Sequence, residues 1–199
     1  MAIQTFTAGQ ILTAAQMTAL QAQAVMTFTT EAARDTAITA PTEGMTAYLT
    51  APTVPTFTGG CLTIYNGSVW VCVSEQAANV STFQGTTSAT YTDLATVGPS
   101  VTLVTGTAAM ISFGATINAP SGQNGHISFA VSGATTLAAS DTNATFCGGV
   151  VGGMVSGVSR TMVISGLTAG TNTFTLKYSS PSTVTANFRN RDIAVTGIA

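Results

Sequence analysis

From about residue 80 to the C-terminus the chain repeats one phrase, a short apolar–polar alternation followed by a turn. Ile111, Phe113, Ala115 and Ile117 alternate with small or polar residues. So do Ile127, Phe129 and Val131, then Phe174, Leu176 and Tyr178, then Val184, Ala186 and Phe188. A period of two puts each set on one face of a strand. Gly98-Pro99, residues 120–122, Gly133, Gly148-Gly149 and residues 166–170 supply the turns. The candidate strands are 87–94, 100–105, 108–118, 126–133, 142–147, 159–165, 171–179 and 183–197. Eight antiparallel strands in roughly 120 residues predict a sandwich, most simply a jelly roll, over residues 85–199. Its expected core is Ile111, Phe113, Ile127, Phe129, Val163, Phe174, Leu176, Phe188, Ile193 and Val195.

Charge is the second constraint. Only 6% of the 199 residues are Asp, Glu, Lys or Arg, and Lys+Arg is 5 against 7 Asp+Glu. Binding nucleic acid by phosphate neutralisation needs far more basic residues, so no nucleic-acid partner is expected. A mean hydropathy of +0.41 raises the question of a membrane. Thr, about a fifth of the chain, joins Ser and Gly in interrupting every apolar run before the roughly 20 residues of a spanning helix. No membrane insertion is expected. The surface is one of hydroxyls and amides, which repels copies of itself weakly and favours self-assembly. The first ten residues lack a basic then apolar signal pattern, so no secretory signal is read.

The first 84 residues differ in texture. Residues 1–27 hold the best helical stretch, with Thr13 as N-cap and Gln16 completing a capping box. Its stripe of Ala15, Ala19, Ala22 and Met26 is too small to stand alone and needs a partner surface. Phe6, Ile11, Leu12 and Leu20 are the candidate anchoring residues. Residues 28–76 read as a small β module. It has one short helical turn at 31–35, a strand at 45–49, and a hairpin about Asn66-Gly67 with Trp70 beside it. Residues 77–84 read as a connector.

Few residues offer chemistry. His126 is the lone imidazole; with no nucleophile motif near it, a surface or subunit-interface role is expected. A glycosidase needs two carboxylates about one bond, and Asp93, Asp141 and Asp192 are the acids that can converge in the head. Each stands in a turn or strand-end context, which favours solvation. The glycine run at 148–153 lacks the Lys-Ser/Thr ending and helix of a phosphate loop. Arg189 and Arg191 are expected on one face of a strand, as subunit-interface or ligand contacts or in ion pairs with Asp192. Cys61 and Cys72 face one another if the hairpin loop has two residues and Tyr65 pairs with Ser68, which permits a disulfide. The other reading is two free thiols in a protein assembled in cytoplasm. No metal, cofactor or catalytic residue is expected.

Residues 6–14 (FTAGQILTA), 32–49 (AARDTAITAPTEGMTAYL) and 65–70 (YNGSVW) resemble the N-terminal region of small tail-associated virion proteins of tailed bacteriophages. The Gly-Leu-Thr-Ala-Gly turn at 166–170, the Phe-Thr-Leu-Lys-Tyr strand at 174–178 and the Asn-x-Arg ending at 187–191 are similar to the last strands of phage fibre heads. Those heads are trimeric jelly rolls of the TNF or C1q type. The resemblance implies a homotrimer that docks on other virion proteins through its N-terminal segment and carries a jelly-roll head. It implies no particular binding residues.

The expected function is therefore non-enzymatic. It is a virion structural protein, a tail-tip or tail-fibre (minor tail) appendage whose head contacts the host surface, with a surface glycan as candidate ligand. The alternative is a capsid decoration or head fibre. A glycan-degrading virion enzyme is the remote third.

Overall fold

In the computed structural model the described residues are 8–21, 24–54, 59–148 and 154–199. The chain is mainly β. Two antiparallel sheets face one another across one apolar core, and a smaller sheet sits against them.

The first sheet of the sandwich runs in the order β10 (Thr145–Gly148), β9 (Asn124–Gly133), β12 (Gly170–Ser179), β7 (Ser100–Thr105). The second runs β11 (Met154–Ser165), β8 (Ala108–Ala119), β13 (Ala186–Ile198), β5 (Gln76–Val80). Short β6 (Gln84–Thr86) pairs with β13 beyond β5. This interleaved order is that of an eight-stranded jelly roll, with β6 added.

Its first strand is not where the alternation put it. Residues 77–84, read as a connector, carry most of β5 and the start of β6, and both pair with the last strand. Residues 87–94 contribute only one isolated bridge, Thr92 with Tyr178. Gln76–Val80 is short, with Gln76 buried and Ala77 exposed, so no apolar alternation marks it. Its strand character comes from the β13 edge it completes. The expected strand at 142–147 is likewise divided between a 3-10 turn, Asp141–Asn143, and β10.

The core is aromatic at its centre. Phe129 meets Phe113 edge-on at 5.6 Å and Phe174 at 6.4 Å, while Tyr178 packs on Phe188 at 5.0 Å. All the expected core residues are buried except Val163, which is 58% exposed. Met162, Val163 and Ile164 are consecutive and apolar, so alternation does not choose among them. Pairing of Val163 with Met110 turns both outward and Ile164 inward.

The small sheet has four strands rather than the expected three. Its order is β1 (Met26–Phe28), β2 (Thr46–Leu49), β3 (Cys61–Tyr65), β4 (Trp70–Cys72), with β1 parallel to β2. Before it comes α1 (Ala14–Gln21), with the capping box in place. Gln16 N donates to Thr13 Oγ1 at 3.2 Å and Thr13 N to Gln16 Oε1 at 3.0 Å. Helix α2 (Glu31–Ala37) starts at Thr30, whose hydroxyl accepts from Ala33 N.

The hairpin register corrects a second reading. Tyr65 pairs with Trp70 rather than Ser68, so the loop is residues 66–69 and Cys72 stands opposite Thr63. Asn66 closes that loop by accepting from Ser68 N and Val69 N. Cys61 and Cys72 are then diagonal neighbours, with Cα atoms 6.2 Å apart, and are joined in a disulfide. Two free thiols at these positions are therefore not what the structure contains. The disulfide lies where β4 backs onto the sandwich. There a Cβ on Gly197 would stand 2.5 Å from Cys72 O and 2.8 Å from Val71 Cγ1, so only glycine allows the approach.

Candidate functional site

A groove of about 810 Å³ crosses the outer face of the β10-β9-β12-β7 sheet. Ala130, Lys177 and Ser179 line it from the sheet; residues 89–93 and 138–141 line it from two crossing segments. Each segment is tied down locally. Thr92 exchanges backbone hydrogen bonds with Tyr178 at 2.9 Å in both directions. Ser128 Oγ donates to Ser140 O at 2.9 Å, and Val131 exchanges backbone bonds with Leu137. One outer-facing strand row supplies the hydroxyl character beside the groove. Thr102 bonds Thr173 at 2.8 Å, and Ser100 donates to Thr175 at 2.9 Å.

Two acids reach this groove from opposite segments. Lys177 Nζ holds both oxygens of Asp93 at 2.7 Å. Tyr91 Oη donates to Asp141 Oδ1 at 2.6 Å, so the tyrosine links the two segments. That bond holds the Asp141 carboxyl below its ordinary range, against an opposing effect of burial, and the neighbouring His126 adds to it. Burial raises the Tyr91 phenol, and its bond to the Asp141 carboxylate raises it further. Asp93 and Asp141 thus come together as the sequence allowed, but both are engaged. Asp192 does not join them; it lies on the other sheet.

His126 sits at the margin of the same face. Its ring stacks on exposed Phe146 at 5.1 Å and 29°, set by the pairing of β9 with β10. Nδ1 stands 3.5 Å from Asp141 Oδ1, an ion-pair distance without a formed hydrogen bond. The histidine packs beneath the groove margin rather than addressing a nucleophile.

The two arginines expected on one face are on opposite faces. A β-bulge falls between Arg189 and Asp192, with Asn190 at φ 48°. The extra residues turn Arg191 fully inward and leave Arg189 exposed. Among the described residues Arg191 takes no acid partner. It donates to Thr96 O and Gly98 O at 3.2 Å, to Thr82 Oγ1 at 2.8 Å and to Gln84 Oε1 at 3.4 Å. Its guanidinium also lies 5.3 Å over the Tyr178 ring. It pins the 82–84 and 96–98 segments to the last strand. Sequence reasoning missed this role, because nothing local announces a bulge.

The candidate anchor is only partly described, since Phe6 lies outside the described residues. Ile11 is 89% exposed and Leu12 40% exposed, and Leu20 is half-buried. Of the glycine run, Gly148 ends β10 and residues 149–153 lie outside the described residues. Cys147 is a buried free thiol, pushed up by that burial. Among the described residues no three His, Cys, Asp or Glu side chains cluster as metal ligands. No described helix is long and apolar enough to cross a membrane.

No family model matches the chain, and no curated protein matches it. A solved structure described as that of infectious bursal disease virus, Gx strain, is similar over 73% of this chain, at 12% identity and a TM-score of 0.37. The chain spans 40% of the length of that viral chain. So distant a likeness assigns no function.

Proposed function

We propose that this chain is a non-enzymatic structural protein of a bacteriophage virion, a tail-tip or tail-fibre appendage that assembles as a homotrimer. Its jelly-roll head contacts the host surface through the groove about Tyr91, and its N-terminal segment docks on other virion proteins. The observation that carries the reading is the groove itself. It is open, lined by hydroxyls and alanines, and bordered by carboxylates that are already occupied.

Hydroxyl and carboxylate acceptors beside small apolar side chains suit the alternating polar and C–H faces of a sugar. Asp93 is neutralised by Lys177, so a neutral glycan is favoured over an anionic one. Glycoside hydrolysis needs one carboxyl kept protonated, and Asp141 is shifted the other way. The exposed Ile11 and Leu12 beside α1 suit docking onto another surface. The motif resemblance at 6–14, 32–49 and 65–70 supports virion membership.

The test has two parts. Virions labelled against the head domain are imaged, and host adsorption is competed with the full chain and with its Tyr91→Ala and Lys177→Ala variants. Label at the tail, and competition by the parent chain that each variant loses about tenfold, is the expected result. Label on capsids with adsorption untouched overturns the tail reading in favour of decoration. Release of reducing ends from envelope glycans overturns the non-enzymatic reading.

A further inference from the structure

The opposite outer face, on the β11-β8-β13-β5 sheet, carries two charged groups, on either side of the β13 bulge, that have no hydrogen-bond or ion-pair partner among the described residues. The chain has five Lys and Arg residues. Arg34 pairs with Asp35, Lys177 with Asp93, Arg160 donates to Thr142 O and Ala144 O, and Arg191 is buried in its own bonds. Arg189 is the one that has no hydrogen bond or ion pair among the described residues. It is exposed, paired through its backbone with Thr116.

Asp192, across the bulge, is also without a partner among the described residues. It stands opposite Gly114, and its Oδ1 is 3.5 Å from where a Cβ on Gly114 would be. Gly114, Gly157 and Ser159 shape a crevice of about 350 Å³ beside it. Partial desolvation there pushes its carboxyl above the ordinary range, as expected of a carboxylate losing water without gaining a cation.

The rest of the face is uncharged and at its ends apolar. Met110 (41% exposed), Val163 (58%), Val155 (56%) and Ile198 (40%) project from it. Strands β11 and β8 are 12 residues long and β13 is 13. At about 3.3 Å per residue and about 4.8 Å between strands, the face offers roughly 650 Å². A stable protein–protein contact buries about 800 Å² per partner, so this face supplies most of one. A face that carries one unpaired cation and one unpaired anion can set its cation against the anion of the neighbouring copy around a closed ring.

We propose that copies of this chain meet through the outer face of the β11-β8-β13-β5 sheet, with Arg189 of one copy seated against Asp192 of the next over Gly114. The inference rests on the self-assembly in the reading above and adds the surface that performs it. The hydroxyl-lined groove of the other sheet then faces outward from the assembly.

Sedimentation velocity of the full chain across micromolar concentrations tests it, with circular dichroism to confirm folding. The parent chain is expected to sediment as an oligomer. Arg189→Asp and Asp192→Arg each place like charges in contact, and each is expected to weaken association at least tenfold; the double exchange restores it. Val163→Asp, on the same face and outside the crevice, weakens association independently of whether the exchanged pair fits. A parent oligomer that all these variants leave intact overturns this face while self-assembly stands. Weakening by Val163→Asp alone, with both single charge variants unaffected, overturns the Arg189–Asp192 pairing. A parent chain that is monomeric at tens of micromolar overturns both the face and the self-assembly.

Discussion

The small N-terminal sheet and the jelly-roll sandwich are built from similar residues and hold together by different means. The sandwich closes a core of Phe113, Phe129, Phe174, Phe188 and Tyr178, each fully buried. The small sheet buries Ala47, Leu49, Trp70 and Val71 and little else of size. A unit this small cannot gain enough from apolar burial. It uses staples instead. One is the Cys61–Cys72 disulfide. Another is Glu31, which accepts from Thr53 N, Val54 N and Thr53 Oγ1 and so ties the start of α2 to the 51–54 turn. A third is Arg34, buried with its guanidinium 4.6 Å over the Trp70 ring. The difference teaches that low charge does not mean few polar constraints. In the small sheet, Glu31 and Arg34 act where apolar area runs short.

The largest effect expected from this contrast is in the sandwich. Phe129→Ala removes the ring on which Phe113 and Phe174 converge, and is expected to cost about 3–5 kcal/mol in denaturant unfolding. A loss below about 1 kcal/mol would mean that the aromatic centre is not what holds the head. Next, Cys61→Ser opens a loop closed across a sequence separation of 11, and is expected to cost roughly 2–3 kcal/mol. Hydrogen exchange should locate that loss in β2 and β3 and leave β8 protected. Equal loss of protection in both would make the two regions one cooperative unit.

Gly197→Val tests the seam between them. Its side chain must displace the Cys72 carbonyl or Val71, at a cost of about 1–3 kcal/mol, with chemical-shift changes on β4 and the end of β13. Shifts confined to β13 would show that the small sheet is not pressed against it. The smallest effect is electrostatic. Burial disfavours the Glu31 charge, but the Thr53 and Val54 amides prevail and hold its carboxyl below the ordinary value. A carboxyl depressed on folding contributes stability above its unfolded pKa and loses it as pH falls through the folded one. The small sheet is therefore expected to loosen on the acid side of the usual carboxylate range, by no more than about 1 kcal/mol at so exposed a site. Glu31→Gln should remove that dependence in a pH series of amide exchange, while the sandwich keeps its profile.

The site was legible in pieces. Asp93 and Asp141 stand 48 positions apart in the sequence, and each reads as a turn acid. Only the bridge of Thr92 to Tyr178 and the anchoring of Ser140 on Ser128 bring them to one groove. Tyr91 gives no sign of its tie to Asp141 until the fold brings their two segments together. Arg189 and Arg191 misled, because strand parity was counted through a bulge.

The sequence by itself determined the class of fold. Alternation in β8, β9 and β12 selects which face is apolar, turn glycines divide the strands, and Thr13 with Gln16 starts the first helix where the cap requires. Those are local preferences, and they act within a few residues. Tertiary structure alone decided the rest. It made a strand of Gln76–Val80 because β13 had an open edge, and it turned Val163 outward because Met110 is its partner. It buried Arg191 because a bulge turned its donors toward four oxygens of the 82–84 and 96–98 segments. Each of these depends on a partner far along the chain, and the cost of an unmade backbone hydrogen bond or an unpaired buried charge is settled only when that partner arrives.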